Sequence, residues 1–298
     1  MTEPRWVDVP GPPGDLKALT WGPSDGPLAL CLHGFPDTAY GWRKVAPKLA
    51  ASGWRVVAPF NRGYAPSSIP TDGSFHVGAM MDDALRVRSA AGGTDADVVI
   101  GHDWGAAAAT GLAAMPDSPF VKAVIMSLPP AVAFRAAYRA RLARQLARQM
   151  LRSWYILYFQ LPWLPERSAS WVLPLLWRRW SPGYRDAHED LRHVDAAIGT
   201  PESWRAALGA YRATIRNTPP PARYAELNKR WTEEPILPSL YLHGREDGCM
   251  APAFAQLTEK VLPAGSEVDI VDHAGHFLQL EQPDKVAELI LAFIGSPG

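Results

Sequence analysis

The segment GHDWG, residues 101–105, sets an aspartate between two glycines where an apolar run gives way to an alanine-rich one. The residues DVVIGH (97–102) predict a buried strand, and residues 104–115 predict a helix. A small–x–nucleophile–x–small pattern at such a junction is a nucleophile elbow, whose sharp turn exposes the central side chain. Asp103 is therefore the candidate nucleophile, and the alternative is that its carboxylate only caps the helix.

Two further candidate catalytic residues also follow predicted strands. The segment HGREDG (243–248) presents Asp247, and AGHF (274–277) presents His276. Nucleophile, acid and histidine in this chain order match one known order of the hydrolytic triad. His102 and His273 are the alternative bases, but His102 lies on the tight turn and His273 is predicted to lie within its strand.

A second glycine motif competes with GHDWG for the role of elbow. GPSDG (22–26) matches the GxSxG pattern letter for letter, but it precedes a predicted strand. Pro-Ser-Asp-Gly is also typical turn chemistry. We therefore interpret this segment as a hairpin loop.

The elements around these motifs alternate between strands and helices. Two short strands open the chain (RWVDV and LKALTW), and AYGWRKVAPKLAASG (39–53) predicts a helix that ends at Gly53. The remaining strands are predicted at 27–33, 54–59, 97–102, 121–128, 236–244 and 266–273, and the tail is an amphipathic helix. Such alternation favours a mostly parallel sheet covered by helices on both faces.

The segments GHDWG, HGFPD (33–37), NRGYAPSS, HGREDG and AGHF together resemble the α/β-hydrolase superfamily, and within it the epoxide hydrolase family. The resemblance covers nearly the whole chain. It implies the α/β-hydrolase fold, a mostly parallel sheet flanked by helices, with residues 1–130 and 236–298 as the core. Residues 131–235, rich in Arg, Trp and Pro, are then an inserted helical cap.

The resemblance also implies roles for particular residues. The backbone N–H groups of Phe35 and Trp104 are the expected oxyanion hole. Substrate contacts are expected from His33, Pro36, Trp104 and Tyr158.

Epoxide hydrolases of this family use two cap tyrosines to donate to the ring oxygen. SWYILYFQLP (153–162) resembles the first tyrosine segment and maps it onto Tyr155, with Tyr158 as the alternative. GAYRATIRN (209–217) resembles the second and maps it onto Tyr211. The other interpretation is that these tyrosines only pack the cap.

An aspartate nucleophile predicts alkyl transfer. A carboxylate is ionised at neutral pH and can displace a leaving group at a saturated carbon, forming an ester. His276, oriented by Asp247, would then activate the water that hydrolyses this ester. The expected reaction is the opening of a small apolar epoxide to a vicinal diol, with water as the second substrate.

Two alternatives remain from the sequence. A haloalkane dehalogenase would use the same aspartate and the Trp104 indole N–H, but many carry a side-chain amide where this chain has Phe35, and fluoroacetate dehalogenases carry Arg in place of Trp104. A non-catalytic ligand-binding protein of the same fold would not need the three catalytic groups. The segment FNRGYA (60–65) also departs from the epoxide hydrolase pattern, since it lacks the Asp usually found two residues before the Arg of the RGYG-like loop, where this chain has Phe60, and has Ala65 in place of the last Gly.

Composition excludes some partners. Lys+Arg and Asp+Glu both number 30, so the formal net charge is zero and nucleic acid is not an expected partner. Cys31 and Cys249 form no CxxC motif, and neither a metal nor an organic cofactor is predicted. The N-terminus shows no signal peptide and no run reaches ~18 apolar residues, so a cytoplasmic protein is expected, as a monomer or homodimer.

The cap has two features with two interpretations each. Arg141, Arg144, Arg148 and Arg152 share a helix face, which predicts a solvated surface or, less simply, a basic surface that contacts membranes. Five tryptophans indicate either an apolar pocket or a packed cap: Trp154, Trp163, Trp171, Trp177 and Trp180.

Overall fold

A computed structural model describes residues 3–139 and 143–297. Eight strands form one sheet in the order β1-β2-β4-β3-β5-β6-β7-β8. The first two pairs in this order are antiparallel and every other pair is parallel. The strands are β1 (Arg5–Val9), β2 (Leu16–Trp21), β3 (Leu28–Leu32), β4 (Arg55–Pro59), β5 (Val98–His102), β6 (Lys122–Met126), β7 (Ser239–Gly244) and β8 (Glu267–Val271).

The strand composition explains this topology. Every residue of β3 and β5 is buried, and these strands consist of Ala, Val, Leu, Ile and Cys with a terminal Gly-His in β5. Strands covered on both faces require such continuous apolar runs. All eight predicted strands are confirmed, with ends that differ by up to three residues.

Helices α1 and α14 cover one face of the sheet, and α2 and α3 cover the other. The predicted fold class, a mostly parallel sheet flanked by helices, is confirmed. The helices are α1 (Ala46–Ala51), α2 (Val77–Ala90), α3 (Trp104–Ala113), α4 (Ala131–Arg139), α5 (Ala143–Arg152), α6 (Trp154–Tyr158), α7 (Ala169–Trp180), α8 (His188–Ile198), α9 (Pro201–Ala207), α10 (Gly209–Ile215), α11 (Ala225–Arg230), α12 (Ala255–Glu259), α13 (Leu278–Glu281) and α14 (Pro283–Ile294).

Two local predictions were wrong. Because β4 lies between β2 and β3, the GPSDG segment is a connection between non-adjacent strands and no hairpin loop. The helix predicted over 39–53 is split into a 3₁₀ turn, Ala39–Trp42, and the short α1. Pro47 lies in the first turn of α1, where its missing N–H is tolerated, and so favours a new helix start.

Helices α4–α11 lie between β6 and β7, in the segment predicted as the cap. The cap is fixed to the core through Trp177, whose ring stacks on Phe277 at 3.8 Å and whose Nε1 donates to the Pro36 carbonyl at 3.0 Å. Helix α11 instead packs on the core, since Asn228 Oδ1 accepts from the Gly78 N–H at 3.0 Å. The predicted boundary at 235 therefore stays a prediction. Over 3–139 and 143–297, every helix is too short or too polar to cross a bilayer.

Candidate active site

Asp103 occupies a strained turn between β5 and α3. Its backbone has φ 53° and ψ −118°, a conformation that non-glycine residues rarely adopt. A Cβ at Gly101 would overlap the Gly105 carbonyl, and one at Gly105 would overlap the Leu32 carbonyl. The two glycines thus let the chain bend sharply, and the Asp103 side chain remains 8% exposed.

Asp247 and His276 meet this aspartate at the carboxyl ends of β7 and β8. His276 Nδ1 lies 3.0 Å from Asp247 Oδ2, and His276 Nε2 lies 3.7 Å from Asp103 Oδ2. Asp247 Oδ1 accepts the backbone N–H groups of Cys249 and Met250 at 2.7 and 2.9 Å. The three predicted triad residues are therefore brought together with the histidine between the two carboxylates.

The charges in this arrangement perturb two pKa values. Burial lowers the pKa of the His276 imidazole, but the Asp247 and Asp103 carboxylates outweigh burial and raise it from 6.5 to about 10. Burial raises the pKa of the Asp247 carboxyl, yet the facing His276 and the backbone donors hold it below its usual value. At neutral pH the free protein therefore holds the His276 imidazolium between two carboxylates.

The alternative bases are placed elsewhere. His102 Nε2 donates to the His276 carbonyl at 2.8 Å, and burial lowers the pKa of His102 to about 3. His273 lies beyond the end of β8 with φ 56° and is exposed, so its predicted place within the strand was wrong. Neither histidine reaches between Asp103 and Asp247 as His276 does.

A backbone donor faces the nucleophile from the loop after β3. The Phe35 N–H donates to Asp103 Oδ1 at 2.8 Å. Gly34 allows this approach, because a Cβ there would overlap Asp103 Oδ1. The Trp104 N–H, the second expected oxyanion donor, begins α3 beside the same carboxylate and stays a predicted donor.

A cavity of about 190 Å³ opens above Asp103. The lining residues with polar groups are Asp103, Gln149, Ser153, Tyr155, Tyr211 and Cys249, and the rest of the lining is mostly apolar. A second apolar cavity of about 270 Å³ shares Trp104, Leu128 and Phe134 with the first. A larger surface cleft of about 540 Å³ lies near Trp21, away from these groups.

Both predicted tyrosines line this cavity. Tyr155 OH lies 3.4 Å from Cys249 Sγ, and Tyr211 OH has no hydrogen-bond partner in the described part of the chain. Burial, followed by nearby groups that include Asp103, raises the pKa of both hydroxyls well above 10. They remain protonated donors at neutral pH, and their ring centroids are 5.7 Å apart.

Tyr158 and two other predicted substrate contacts do not line the cavity. The Tyr158 ring packs against Trp171 at 6.0 Å. His33 is fully buried, where its Nε2 accepts the Asn61 N–H at 3.0 Å. Pro36 follows a cis peptide bond and contributes its carbonyl to the Trp177 contact. Of the expected substrate contacts, only Trp104 lines the cavity.

The cap tryptophans serve mainly as packing. Trp177 and Trp180 are buried, whereas Trp163 and Trp171 are more than half exposed. None of the five tryptophans lines the cavity that holds Asp103. The pocket interpretation of these tryptophans is therefore not supported: the Trp177 ring stacks on Phe277, the Trp180 ring lies 5.0 Å from the His276 ring, and the exposed rings face solvent.

Sequence reasoning missed three residues that support the triad. The Trp180 carbonyl accepts both the Gly248 and the His276 N–H at 3.0 Å, which ties the acid loop to the base loop. Arg152 donates to the Asp247 carbonyl at 2.7 Å, so it does not share the solvated face predicted for it. Gln149 donates to the Cys249 carbonyl at 2.9 Å. Arg141 lies outside the described residues.

One cluster has the donor atoms of a metal site. Oxygen, sulfur and nitrogen atoms of Asp247, Cys249 and His276 lie within 4.8 Å of one another. Asp247 and His276 already bond each other, and burial raises the pKa of the Cys249 thiol well above 9. This donor set therefore fits a metal poorly, and a reaction without metal or cofactor stays a prediction.

Comparison with known proteins identifies the architecture. Residues 27–283 match the family model described as the alpha/beta hydrolase fold. Epoxide Hydrolase A from Mycobacterium thermoresistibile superposes with a TM-score of 0.74 at 24% identity, covering 99% of both chains. An epoxide hydrolase from an endophytic Streptomyces superposes with a TM-score of 0.75 at 23% identity, covering 99% of this chain and 96% of the other.

Curated relatives extend the likeness along the sequence. AB hydrolase superfamily protein YfhM of Bacillus subtilis is 32% identical over 284 residues, covering 94% of both chains. An epoxide hydrolase of Caballeronia sordidicola is 29% identical over 308 residues, covering 90% of this chain and 88% of the relative. The resemblance predicted from the sequence motifs is confirmed.

Proposed function

The chain belongs to the α/β-hydrolase superfamily, and we propose that it is an epoxide hydrolase that converts a small apolar epoxide into a vicinal diol. The observation that carries the proposal is a carboxylate at the elbow, Asp103, below a cavity lined by Tyr155 and Tyr211. Relatives with the name epoxide hydrolase support this choice among the activities of the fold. An apolar substrate is favoured because most of the surface that lines the cavity is apolar.

In the first step, an Asp103 carboxylate oxygen attacks an epoxide carbon from the side opposite the C–O bond that breaks. The new C–O bond is an ester, and the ring oxygen leaves as an alkoxide on the neighbouring carbon. Tyr155 and Tyr211 donate hydrogen bonds to this oxygen, and one of them transfers its proton. The His276 imidazolium restores the tyrosine proton through water and becomes a neutral imidazole.

In the second step, the neutral His276 takes a proton from water, and the hydroxide attacks the ester carbonyl carbon. Esterification has removed the negative charge of Asp103, so the pKa of His276 falls and the imidazole can act as a base. Phe35 N–H, with the Trp104 N–H beside it, stabilises the oxyanion. The diol leaves, Asp103 is ionised again, and His276 is once more an imidazolium.

The dehalogenase alternative uses the same nucleophile. The Trp104 indole N–H is buried and has no partner in residues 3–139 and 143–297, so it could hold a leaving halide. A halide needs no proton, however, and the two tyrosine hydroxyls would then have no role in the reaction. We therefore prefer an epoxide to an alkyl halide as the substrate.

One trapping experiment tests the proposal. The His276→Gln variant keeps Asp103 but loses the base, so ester should accumulate. Incubating it with styrene oxide or with a bromoalkane, followed by mass spectrometry of the Asp103 peptide, identifies both the attacking residue and the electrophile. An adduct of the whole epoxide mass is expected, and Asp103→Ala in the same background is the control.

Other results would redirect the assignment. An alkyl adduct from the bromoalkane, with halide release from the intact protein faster than diol formation, would establish the dehalogenase. Tight ligand binding without adduct or turnover over a broad epoxide panel would indicate a binding protein. A cytoplasmic location and a monomeric or homodimeric state stay predictions.

A further inference from the structure

The outer surface of the cap combines arginines with exposed apolar side chains. We define the cap outer face by six residues of α5, α6 and the turn after α6: Arg144, Arg148, Met150, Leu151, Leu157 and Trp163. Four of these residues are large, apolar and strongly exposed: Met150 at 74%, Leu151 at 77%, Leu157 at 68% and Trp163 at 62%. They all fall within residues 150–163, and exposed apolar groups this close along the chain mark an interaction surface.

Helix α5 has two opposite faces. At 3.6 residues per turn, Met150, Leu151, Arg144 and Arg148 fall within an arc of about 160°. The other side of the helix carries Gln149, which is buried and lines the cavity. The apolar exposure is therefore not part of the cavity, and one helix diameter of about 10 Å separates the two.

The charge of the segment that carries this face has one sign. Residues 131–165 contain six arginines and no Asp, Glu or Lys, although the whole chain is neutral. Arg144 and Arg148 are exposed and form no ion pair with any described residue. Trp163 is 62% exposed, with the Arg167 guanidinium over its ring at 5.4 Å. Tryptophan and arginine beside aliphatic groups are the composition of helices that lie in a bilayer interface.

We propose that the cap outer face docks the protein peripherally on an anionic lipid bilayer. Arginines contact the acidic headgroups, and Leu151, Leu157 and Trp163 enter the boundary between headgroups and acyl chains. Nucleic acid would satisfy the arginines but offers nothing to the exposed leucines. Pairing with a second copy of this face would bring arginines against arginines.

Vesicle binding tests the proposal and needs no turnover. The intact protein should co-sediment with phosphatidylcholine vesicles that contain phosphatidylserine, much less with phosphatidylcholine alone, and less as salt is raised. The double variant Arg144→Glu/Arg148→Glu should bind at least about tenfold more weakly. Leu151→Asp should also weaken binding, because it removes an apolar contact and sets a carboxylate against the acidic headgroups. The control Lys260→Glu/Lys285→Glu changes two exposed lysines of the core by the same charge and should bind nearly as the intact protein.

Three outcomes would overturn the proposal. The first is equal sedimentation with neutral and anionic vesicles, or no sedimentation with either. The second is a dimer in solution that Leu151→Asp dissociates, which would assign the face to self-association. The third is tighter binding of a single-stranded oligonucleotide than of anionic vesicles, with the same arginine dependence. Circular dichroism of each variant separates loss of binding from loss of fold.

Discussion

The hydrolase core and the cap contribute to one cavity in different ways. In the core, Asp103, Asp247 and His276 each follow a parallel strand, and backbone N–H groups hold both carboxylates in place. In the cap, Tyr155 and Tyr211 stand on helices of five and seven residues. Their rings are positioned by aromatic neighbours, Tyr155 by Trp180 at 4.9 Å and Tyr211 by Trp104 at 5.1 Å. Charge is thus supplied by a rigid sheet edge, and proton donors by packed aromatic groups.

The largest expected effect concerns the core. Asp103→Ala removes the attacking oxygen and should lower diol formation by at least about 10⁴-fold. Asp117→Ala is the matched control, because Asp117 is exposed after α3 and should leave turnover unchanged. Steady-state diol assays compare the two. Substantial turnover in the Asp103 variant would mean that water attacks the epoxide directly.

The cap tyrosines should show the next largest effect. Tyr155→Phe and Tyr211→Phe each remove one hydroxyl donor and should slow ester formation by roughly 10²-fold, and the double variant by more. Ester hydrolysis should stay nearly unchanged. Tyr158→Phe is the control, because that ring does not line the cavity. Single-turnover kinetics separate the two steps, and equal slowing of both would remove the tyrosines from ring opening.

The pH dependence of ester hydrolysis tests the role of the core separately from that of the cap. The pKa of His276 is about 10 in the free protein because two carboxylates face it. Esterification neutralises Asp103, so the pKa in the intermediate falls below that value. Hydrolysis of the ester needs the unprotonated imidazole, so its rate should rise up to about tenfold per pH unit below the new pKa. Single-turnover measurements follow the rise, and faster hydrolysis at lower pH would contradict a base role.

The smallest expected effect links core and cap. Cys249 follows the acid Asp247 and contacts the Tyr155 hydroxyl through its thiol at 3.4 Å. Cys249→Ala should slow ester formation about two- to fivefold, because Tyr155 loses an orienting contact. Cys31→Ala, a second buried cysteine in β3, should leave both steps unchanged. An effect on ester hydrolysis alone would place the thiol with the triad instead.

The core could be predicted from the sequence because local rules determine it. The run LALCL is a buried strand in any parallel sheet, and the two glycines of GHDWG are required by the turn itself. The sequence favours His276 over His102 as the base because of their positions relative to the strand ends. The structure agrees, since the His102 ring is engaged in a hydrogen bond to the His276 carbonyl. The strand order was harder to predict, because the GPSDG segment joins β2 to β3 although β4 lies between them.

The cap could be predicted only in outline. Helical spacing indicates helix over the arginine-rich stretch, yet α6 begins separately at Trp154, directly after the end of α5, because tertiary contacts decide where short helices end. The same spacing put Arg152 on a solvated face, while its guanidinium reaches the Asp247 carbonyl. Long side chains extend around a helix to distant partners, and periodicity carries no information about them.

The central claim is a covalent bond between Asp103 and the substrate carbon. A single turnover in water enriched in heavy oxygen tests it, with the enzyme in excess over a slowly consumed epoxide. If the ester forms, the heavy atom enters the Asp103 side chain, the first diol contains only ordinary oxygen, and mass spectrometry of the Asp103 peptide detects the label. Labelled diol beside an unlabelled Asp103 peptide would show direct attack by water and contradict the account.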